Sequence, residues 1–308
     1  ITPGTITDPA MLDERRNNYI LAVYCLSSYF GLAACDLTTG SFEATALVIG
    51  ATADKLLDET ARYGPSEVIC NAAFLKTEIS RVLQNRYNVT LSLRPDEDFG
   101  IEAVKACQAI SSQLPADSEQ PPLWAHAASA MLCYLTETQR VQPGHLKAVR
   151  PYLLSEFMNL DPTARRNLEI TETIRDKSRR GSLLWAIDRT VTSMGGRLLR
   201  RWLEQPLLNV HDIQQRLNAV ADLKEQFLLR QELREALTGL YDLERLTGKI
   251  ALQSVNARDS QALALSLGKL PSLLQILNTV RDSWLQELSA QIDLLPELRA
   301  LLEAAITD

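Results

Sequence analysis

Apolar positions along the chain keep two different rhythms. From Tyr19 to Leu26, Phe30 to Leu37 and Ser41 to Val48, β-branched, aromatic and small apolar residues gather in three short runs. The turns Ser27-Ser28-Tyr29 and Thr38-Thr39-Gly40 part them, so they predict an antiparallel meander. A helix over Ala53 to Tyr63 follows, with Leu56, Leu57 and Ala61 on one face and a stop at Gly64-Pro65. Glu67 to Cys70 reads as a strand, Ala72 to Arg86 as a helix, and Val89 to Leu93 as another strand. Two more helices, Gly100 to Leu114 and Leu123 to Thr138, flank the proline-rich stretch from Pro115 to Pro122.

Past a linker at Gln142 to Pro151 the strand rhythm stops. Tyr152 to Met158 is one last extended piece, and helix then follows helix. Asn209 is a good N-cap for a segment with apolar residues at Val210, Ile213, Leu217, Val220 and Phe227, close to the 3.6-residue period. Leu285 to Ile306 continues in this way, with a break or restart at Pro296. Gln261 to Leu270 alternates like a strand in places but is assigned to helix. The predicted fold is α/β plus all-α. Residues 1–142 form one unit, 143–158 a linker and 159–308 a helical bundle. Three antiparallel strands followed by alternating helix and strand is the order of a ribonuclease-H-like sheet.

Composition narrows the class. In 308 residues, 46% hydrophobic and 23% charged, with 13 Gly and 13 Pro, disorder and fibre are excluded. The cysteines Cys25, Cys35, Cys70, Cys107 and Cys133 are odd in number, far apart and set in apolar runs. They read as buried free thiols of a reducing, cytoplasmic compartment. Arg15-Arg16, the uncharged run Asn17 to Cys35 and its closing Leu32-Ala33-Ala34-Cys35 imitate a lipoprotein signal. Asp13, Glu14, Asn17-Asn18 and the mid-run serines favour the hairpin instead. Both halves of the run are far shorter than the ~20 residues of a membrane span.

Charge is unevenly placed. The chain carries net -6, yet Arg165 to Arg201 holds ten basic residues against four acidic ones. Arg165, Arg166, Arg179, Arg180, Arg197, Arg200 and Arg201 are therefore candidate contacts, either to a DNA backbone or between domains. The interdomain reading is favoured, because no aromatics interleave with them as a base-stacking platform requires. For chemistry the chain offers little. No G-x-x-x-x-G-K-[ST] loop and no G-x-S-x-G elbow occurs, and His126, His145 and His211 stand apart from the cysteines. Gly195-Gly196 reads as a tight turn that lets Met194 and Leu198 approach. A metal-dependent nuclease would need several carboxylates at strand ends; Asp36 lies at one, but Glu67 opens its strand and Asp96-Glu97-Asp98 sit in a loop behind Pro95.

Several stretches resemble the MutS family of bacterial DNA mismatch repair ATPases. They are Ile1 to Asp8, Asn18 to Val23, Cys35 to Gly40, Pro65 to Ile69, Arg165 to Ile170, GSLLWAIDRT from Gly181 to Thr190, and MGGRLLRRWLEQPL from Met194 to Leu207. The resemblance implies that residues 1–142 are the family's connector domain, ribonuclease-H-like and without nuclease activity. It implies that the helical part is the first portion of the core, the lever between DNA-gripping and ATP-hydrolysing parts. The parent protein would bind mismatched DNA, hydrolyse ATP with Mg, form a homodimer and recruit MutL, to which the connector offers a docking surface. The family's Phe-x-Glu wedge and P-loop do not occur in this sequence. The chain is thus expected to be a non-catalytic middle section, without cofactor of its own, of a frame continuing to a P-loop beyond Asp308. Helices beginning at Leu183 and Leu198 are expected to bury Trp185 and Trp202.

Overall fold

A computed structural model describes residues 12–47, 52–111, 113–115, 118–139, 146 and 148–306. Strand β1 (Ile20–Leu26) turns into β2 (Tyr29–Asp36) through Ser27 and Ser28, with Leu26 opposite Tyr29. Ser27 takes a left-handed φ of 56° to close that two-residue turn. β2 then pairs antiparallel with β3 (Ser41–Leu47) around Gly40, whose φ is 73°. The export-signal imitation is therefore a hairpin. Cys35, the residue that such a signal would lipidate, is fully buried in β2, and burial holds its thiol well above the ordinary cysteine range.

Helix α1 (Thr52–Tyr63) leads to β4 (Glu67–Cys70), which lies parallel to β1. Next come α2 (Ala72–Leu75), α3 (Glu78–Tyr87) and β5 (Thr90–Leu93), parallel to β4. The single helix expected over Ala72 to Arg86 is thus two. Thr77 breaks it by acting as a cap: its hydroxyl donates to Phe74 O and accepts from Ser80 N. Helix α4 (Ile101–Cys107) is shorter than the expected Gly100 to Leu114, giving way to turns at Cys107 O, although Leu114 is still buried. α5 (Leu123–Gln139) and β6 (Arg150–Pro151), parallel to β3, complete a sheet of order β5-β4-β1-β2-β3-β6. Beyond β6 the expected extended piece to Met158 contains a 3-10 turn at Leu154–Glu156. Val48, His145 and Ile1 to Asp8 lie outside the described residues.

Helices cover both faces of this sheet, which is why its strands read as nearly continuous apolar runs. Ile20, Ala22, Ala33, Cys35 and Phe42 face Met131, Leu132 and Leu135 of α5. Leu21, Val23, Leu32 and Ala34 face Leu56, Phe74 and Leu83. At Gly31 the start of α5 rests on the strand: a Cβ there would lie 1.9 Å from the Leu123 carbonyl oxygen.

Nine helices make up the remainder of the described chain. They are α6 (Pro162–Asn167), α7 (Leu183–Ile187), α8 (Ser193–Glu204), α9 (Val210–Glu225) and α10 (Phe227–Leu237), then α11 (Leu243–Ala251), α12 (Ala257–Leu277), α13 (Ser283–Ala290) and α14 (Pro296–Ala305). Side chains cap most of them: Asp161, Ser182, Thr192, Asn209, Asp242, Asn256 and Asp282 each accept from a first-turn amide. Asn256 and Asp259 form a reciprocal capping box, and it outweighs the strand-like alternation within α12. Leu263 and Leu267 then bury one α12 face against Leu246. Pro296 restarts the chain as the first residue of α14.

Two local expectations fail. Gly195-Gly196 is not a turn but the first turn of α8, capped by Thr192, so this helix begins at Ser193 and not at the expected Leu198. Trp185 and Leu198 are about half exposed, and Leu184 is the α7 side chain turned inward, because a five-residue helix offers little more than one inward position. Trp202 is half-buried, with the Arg216 guanidinium 3.8 Å above its ring.

Candidate functional site, an arginine junction

The sheet unit and the helices meet along the lead-in to β1, residues 12–17. Backbone carbonyls of this segment are gripped by arginines from two helices. Arg197 of α8 donates from Nη1 to Glu14 O at 2.8 Å, and Arg245 of α11 donates from Nη2 to Asp13 O at 2.6 Å and to Arg16 O at 3.0 Å. Arg197 is itself held by acids from α11 and its cap: Nη1 and Nη2 reach the two Asp242 oxygens at 2.6 and 2.7 Å, and Nη2 reaches Glu244 at 2.6 Å. Its side chain is 3% exposed, while Asp242 and Glu244 are 19% and 48% exposed, so the bidentate fork is sheltered on the arginine side and open to water at Glu244. Burial alone would lower its pKa; Asp242 and Glu244 overcome that and raise it.

Arg15 crosses in the other direction. Its stem runs over Gly196, where a Cβ would come 3.3 Å from Arg15 Cγ and Cδ, and its Nη1 meets Asp188 at 2.7 Å. Asp188 also pairs with Arg179 and accepts from Thr190 N at 2.9 Å and Thr190 Oγ1 at 2.6 Å. Burial pushes this carboxyl up, yet the Thr190 bonds and Arg15 pull it below the usual aspartate range.

Further along the sheet, Arg201 of α8 forms an ion pair with the buried Glu43 of β3. Glu43 accepts from the Tyr63 hydroxyl at 3.1 Å, and Tyr63 lies 3.3 Å from the Tyr152 hydroxyl. Tyr152 donates to Glu59 at 2.5 Å, and Arg62 holds the same Glu59 oxygen at 2.6 Å. The α11 backbone approaches the sheet unit at Gly248, where a Cβ would lie 2.2 Å from Thr38 O in the β2–β3 turn. Glycine is needed there by contact and not by dihedral.

The seven candidate arginines therefore part company. Arg197, Arg201 and Arg179 are paired with acids at the junction, and Arg200 pairs along its own helix with Glu204 at 3.0 Å. Arg180 is exposed. Arg165 and Arg166 line a cleft of about 660 Å³ with Arg16, Arg62 and Lys177; Arg16 and Arg62 pair with Glu172 and Glu59, whereas Arg165 and Arg166 form no ion pair among the described residues. Sequence reading missed the lead-in carbonyls, Asp188, Asp242 and Glu43. A segment of net +6 that lacks interleaved aromatics has to find acids elsewhere in the chain, and that was the available signal.

The nuclease alternative loses its anchor. Asp36 is fully buried and occupied: its carboxylate accepts from Asn17 Nδ2 at 2.7 Å, Asn18 N at 3.2 Å, and Thr38 N and Oγ1 at 2.9 and 2.7 Å. Glu67 is likewise occupied, by Ser92 and Tyr134. Among the described residues, no group of three or more His, Cys, Asp or Glu could hold a metal ion, and no helix is long and apolar enough to cross a membrane.

Comparison with known proteins matches residues 18–147 to the family model for MutS domain II and residues 163–308 to that for MutS domain III. The whole chain is similar to the DNA mismatch repair protein MutS of Acetivibrio thermocellus, at 42% identity over 311 residues, and to that of Ruminiclostridium cellulolyticum, at 43% over 312. Similarity to the MutS of Lachnoclostridium phytofermentans is 37% over 313 residues. The chain covers 36%, 36% and 33% of these relatives, about a third of their length.

Proposed function

Because the chain belongs to the MutS family, with its domain II match followed by its domain III match, we propose that it acts as the rigid relay of a mismatch repair protein. In this reading residues 1–142 are a ribonuclease-H-like connector, 143–158 a linker and 159–308 the first part of the lever. The antiparallel order β1-β2-β3 with β4 and β5 parallel to β1 supports the ribonuclease-H-like assignment. The connector docks MutL. The whole protein works in the cytoplasm as a homodimer that binds mismatched duplex DNA and hydrolyses ATP with Mg, while this section makes and breaks no bonds. Arg197 and Arg201 join its units, and Arg179 supports Asp188, the carboxylate that Arg15 reaches across the junction.

One observation carries the relay: Arg197 binds the lead-in of the sheet unit and the acids of α11 with the same guanidinium. Any rotation of one unit against the other must stretch those bonds, so displacement is transmitted and not absorbed. The test is Gly248→Ala in a full-length MutS carrying this chain. Its Cβ would collide with Thr38 O and force the junction open. Stimulation of ATP turnover by mismatched DNA is expected to fall severalfold while turnover without DNA persists; unchanged stimulation would sink the relay. MutL docking is checked separately by hydrogen exchange. Protection on adding MutL is expected within residues 1–142, and protection confined to 159–308 would refute it.

A further inference from the structure

The cleft between α1, α6 and α8 holds charge that the protein does not neutralise. Six cationic side chains line its roughly 660 Å³, among them Arg165, Arg166 and Lys177, against two carboxylates, Glu172 and Glu204. Both carboxylates are already engaged, Glu204 by Arg200 at 3.0 Å and Glu172 by Arg16 at 3.9 Å. Arg62 is satisfied by Glu59. What remains is Arg165, Arg166 and Lys177, which pair with no side chain among the described residues. The Nε and Nη1 atoms of Arg165 are shut off from solvent and lack a hydrogen-bond partner.

The same segment supplies its own control. Arg179, Arg197 and Arg201 lie within forty residues of Arg165, and every one of them meets a carboxylate. The fold thus gives each of those three an ion pair, whereas Arg165 feels Glu204, Glu59 and Asp58 only at a distance and pairs with none of them. Two buried guanidinium N–H groups without acceptors are costly unless something supplies acceptors and negative charge. A planar N–H fork flanked by a second guanidinium and an ammonium fits the oxygens of a phosphate group, and three uncommitted cations match a small anion carrying two or three charges.

We propose that this cleft is a binding site for a di- or triphosphate group, free or carried by a nucleotide, held by Arg165, Arg166 and Lys177. This inference does not rest on the relay reading. Burial, and next to it the positive charge of Arg62, hold the Arg165 pKa below the usual arginine range, and a bound polyanion would relieve that strain.

The 308-residue chain has no P-loop, so calorimetric titration with pyrophosphate, and with ATP in the absence of Mg, is free of binding at such a loop, and the variants assign what remains. Saturable binding of one pyrophosphate per chain is expected. Arg165→Gln, Arg166→Gln and Lys177→Gln should each weaken it about tenfold, the loss for one charge-assisted hydrogen bond. Arg86→Gln, on the far α3 helix, should not. ATP binding that matches pyrophosphate in its loss across the three variants assigns the site to the phosphate chain, whether free or nucleotide-borne. The proposal is overturned if pyrophosphate does not saturate, or if the exposed, fold-neutral Arg166→Gln binds like the parent. It is also overturned if a short DNA duplex, and not pyrophosphate, binds and loses affinity in the same variants.

Discussion

The sheet unit and the helical unit are built on opposite terms. In the first, side chains as large as Phe42, Phe74 and Phe99 are completely enclosed and helices seal both faces of the sheet. In the second, the shared core within this chain is Leu246, Leu263 and Leu267 with a few half-buried neighbours. The helices are held by caps, by ion pairs such as Lys249 to Asp259 at 2.6 Å, and by their grip on the β1 lead-in. A unit with a closed core resists deformation in every direction, whereas one held by directional polar contacts yields along the directions those contacts leave open. The proposed relay would need the helical unit to be stiff along the directions its polar contacts fix, those through Arg197 and Arg245 to the β1 lead-in.

The largest effects expected from substitution should sharpen that contrast. Phe74→Ala removes an enclosed ring from the sheet core and should cost about 3–5 kcal/mol in chemical denaturation. Leu267→Ala, at the centre of the smaller helical core, should cost nearer ~2 kcal/mol because neighbours there can collapse or admit water. Equal losses would mean that the helical unit is packed as tightly as the sheet. Arg197→Met comes next. Removing one partner of a fully buried pair costs about 3–5 kcal/mol, but Glu244 is half exposed and can turn to water, so ~2–3 kcal/mol is expected. The loss should appear chiefly as hydrogen exchange at residues 12–17 and in α11, and exchange confined to α8 would contradict the bridge.

How far the sequence foretold this follows from the same contrast. Short apolar runs and the turn residues between them located β1 to β5 to within a residue or two, because both faces of the sheet are buried and its strands are then continuous apolar stretches. Asn209 and Pro296 were legible as helix boundaries because caps act within one turn. The junction was not legible, since Arg197 meets Glu14 and Asp242 across 183 and 45 positions of chain, and no local rule connects such pairs. Trp185 was misjudged for a related reason: its aromatic bulk suggested core, but the neighbours that decide exposure come from elsewhere.

Acid should loosen the junction before it reaches the sheet core. Burial would raise the carboxyl of Glu59, but Arg62 and the Tyr152 hydroxyl pull it below the ordinary glutamate range, and Asp188 is depressed likewise. Groups depressed by folding stabilise the native state above their unfolded pKa values near ~4, and that stability is lost as pH falls through the lower folded values. Denaturation midpoints should therefore hold steady from about pH 7 to 5 and decline below ~4. Asp188→Asn, which cannot titrate, should start less stable and lose less on acidification. An unchanged acid slope would remove Asp188 from the linkage.

The smallest expected effect is the most discriminating. A tryptophan truncated in a closed core costs about 3–5 kcal/mol, and a sheet-like helical unit would impose that cost on Trp185. Trp185 is 48% exposed on a helix of five residues, with Leu184 taking the inward position. Trp185→Ala should therefore change stability by no more than about 0.5 kcal/mol. Trp202→Ala, which strips the ring from beneath Arg216, should cost visibly more, since the cation–π contact alone is worth ~0.5–1 kcal/mol. The order of these two losses tests whether the helical unit is organised by polar contacts at named positions or by general apolar burial. If Trp185 proved the costlier of the two, the compliant side of the comparison would have to be redrawn around α7.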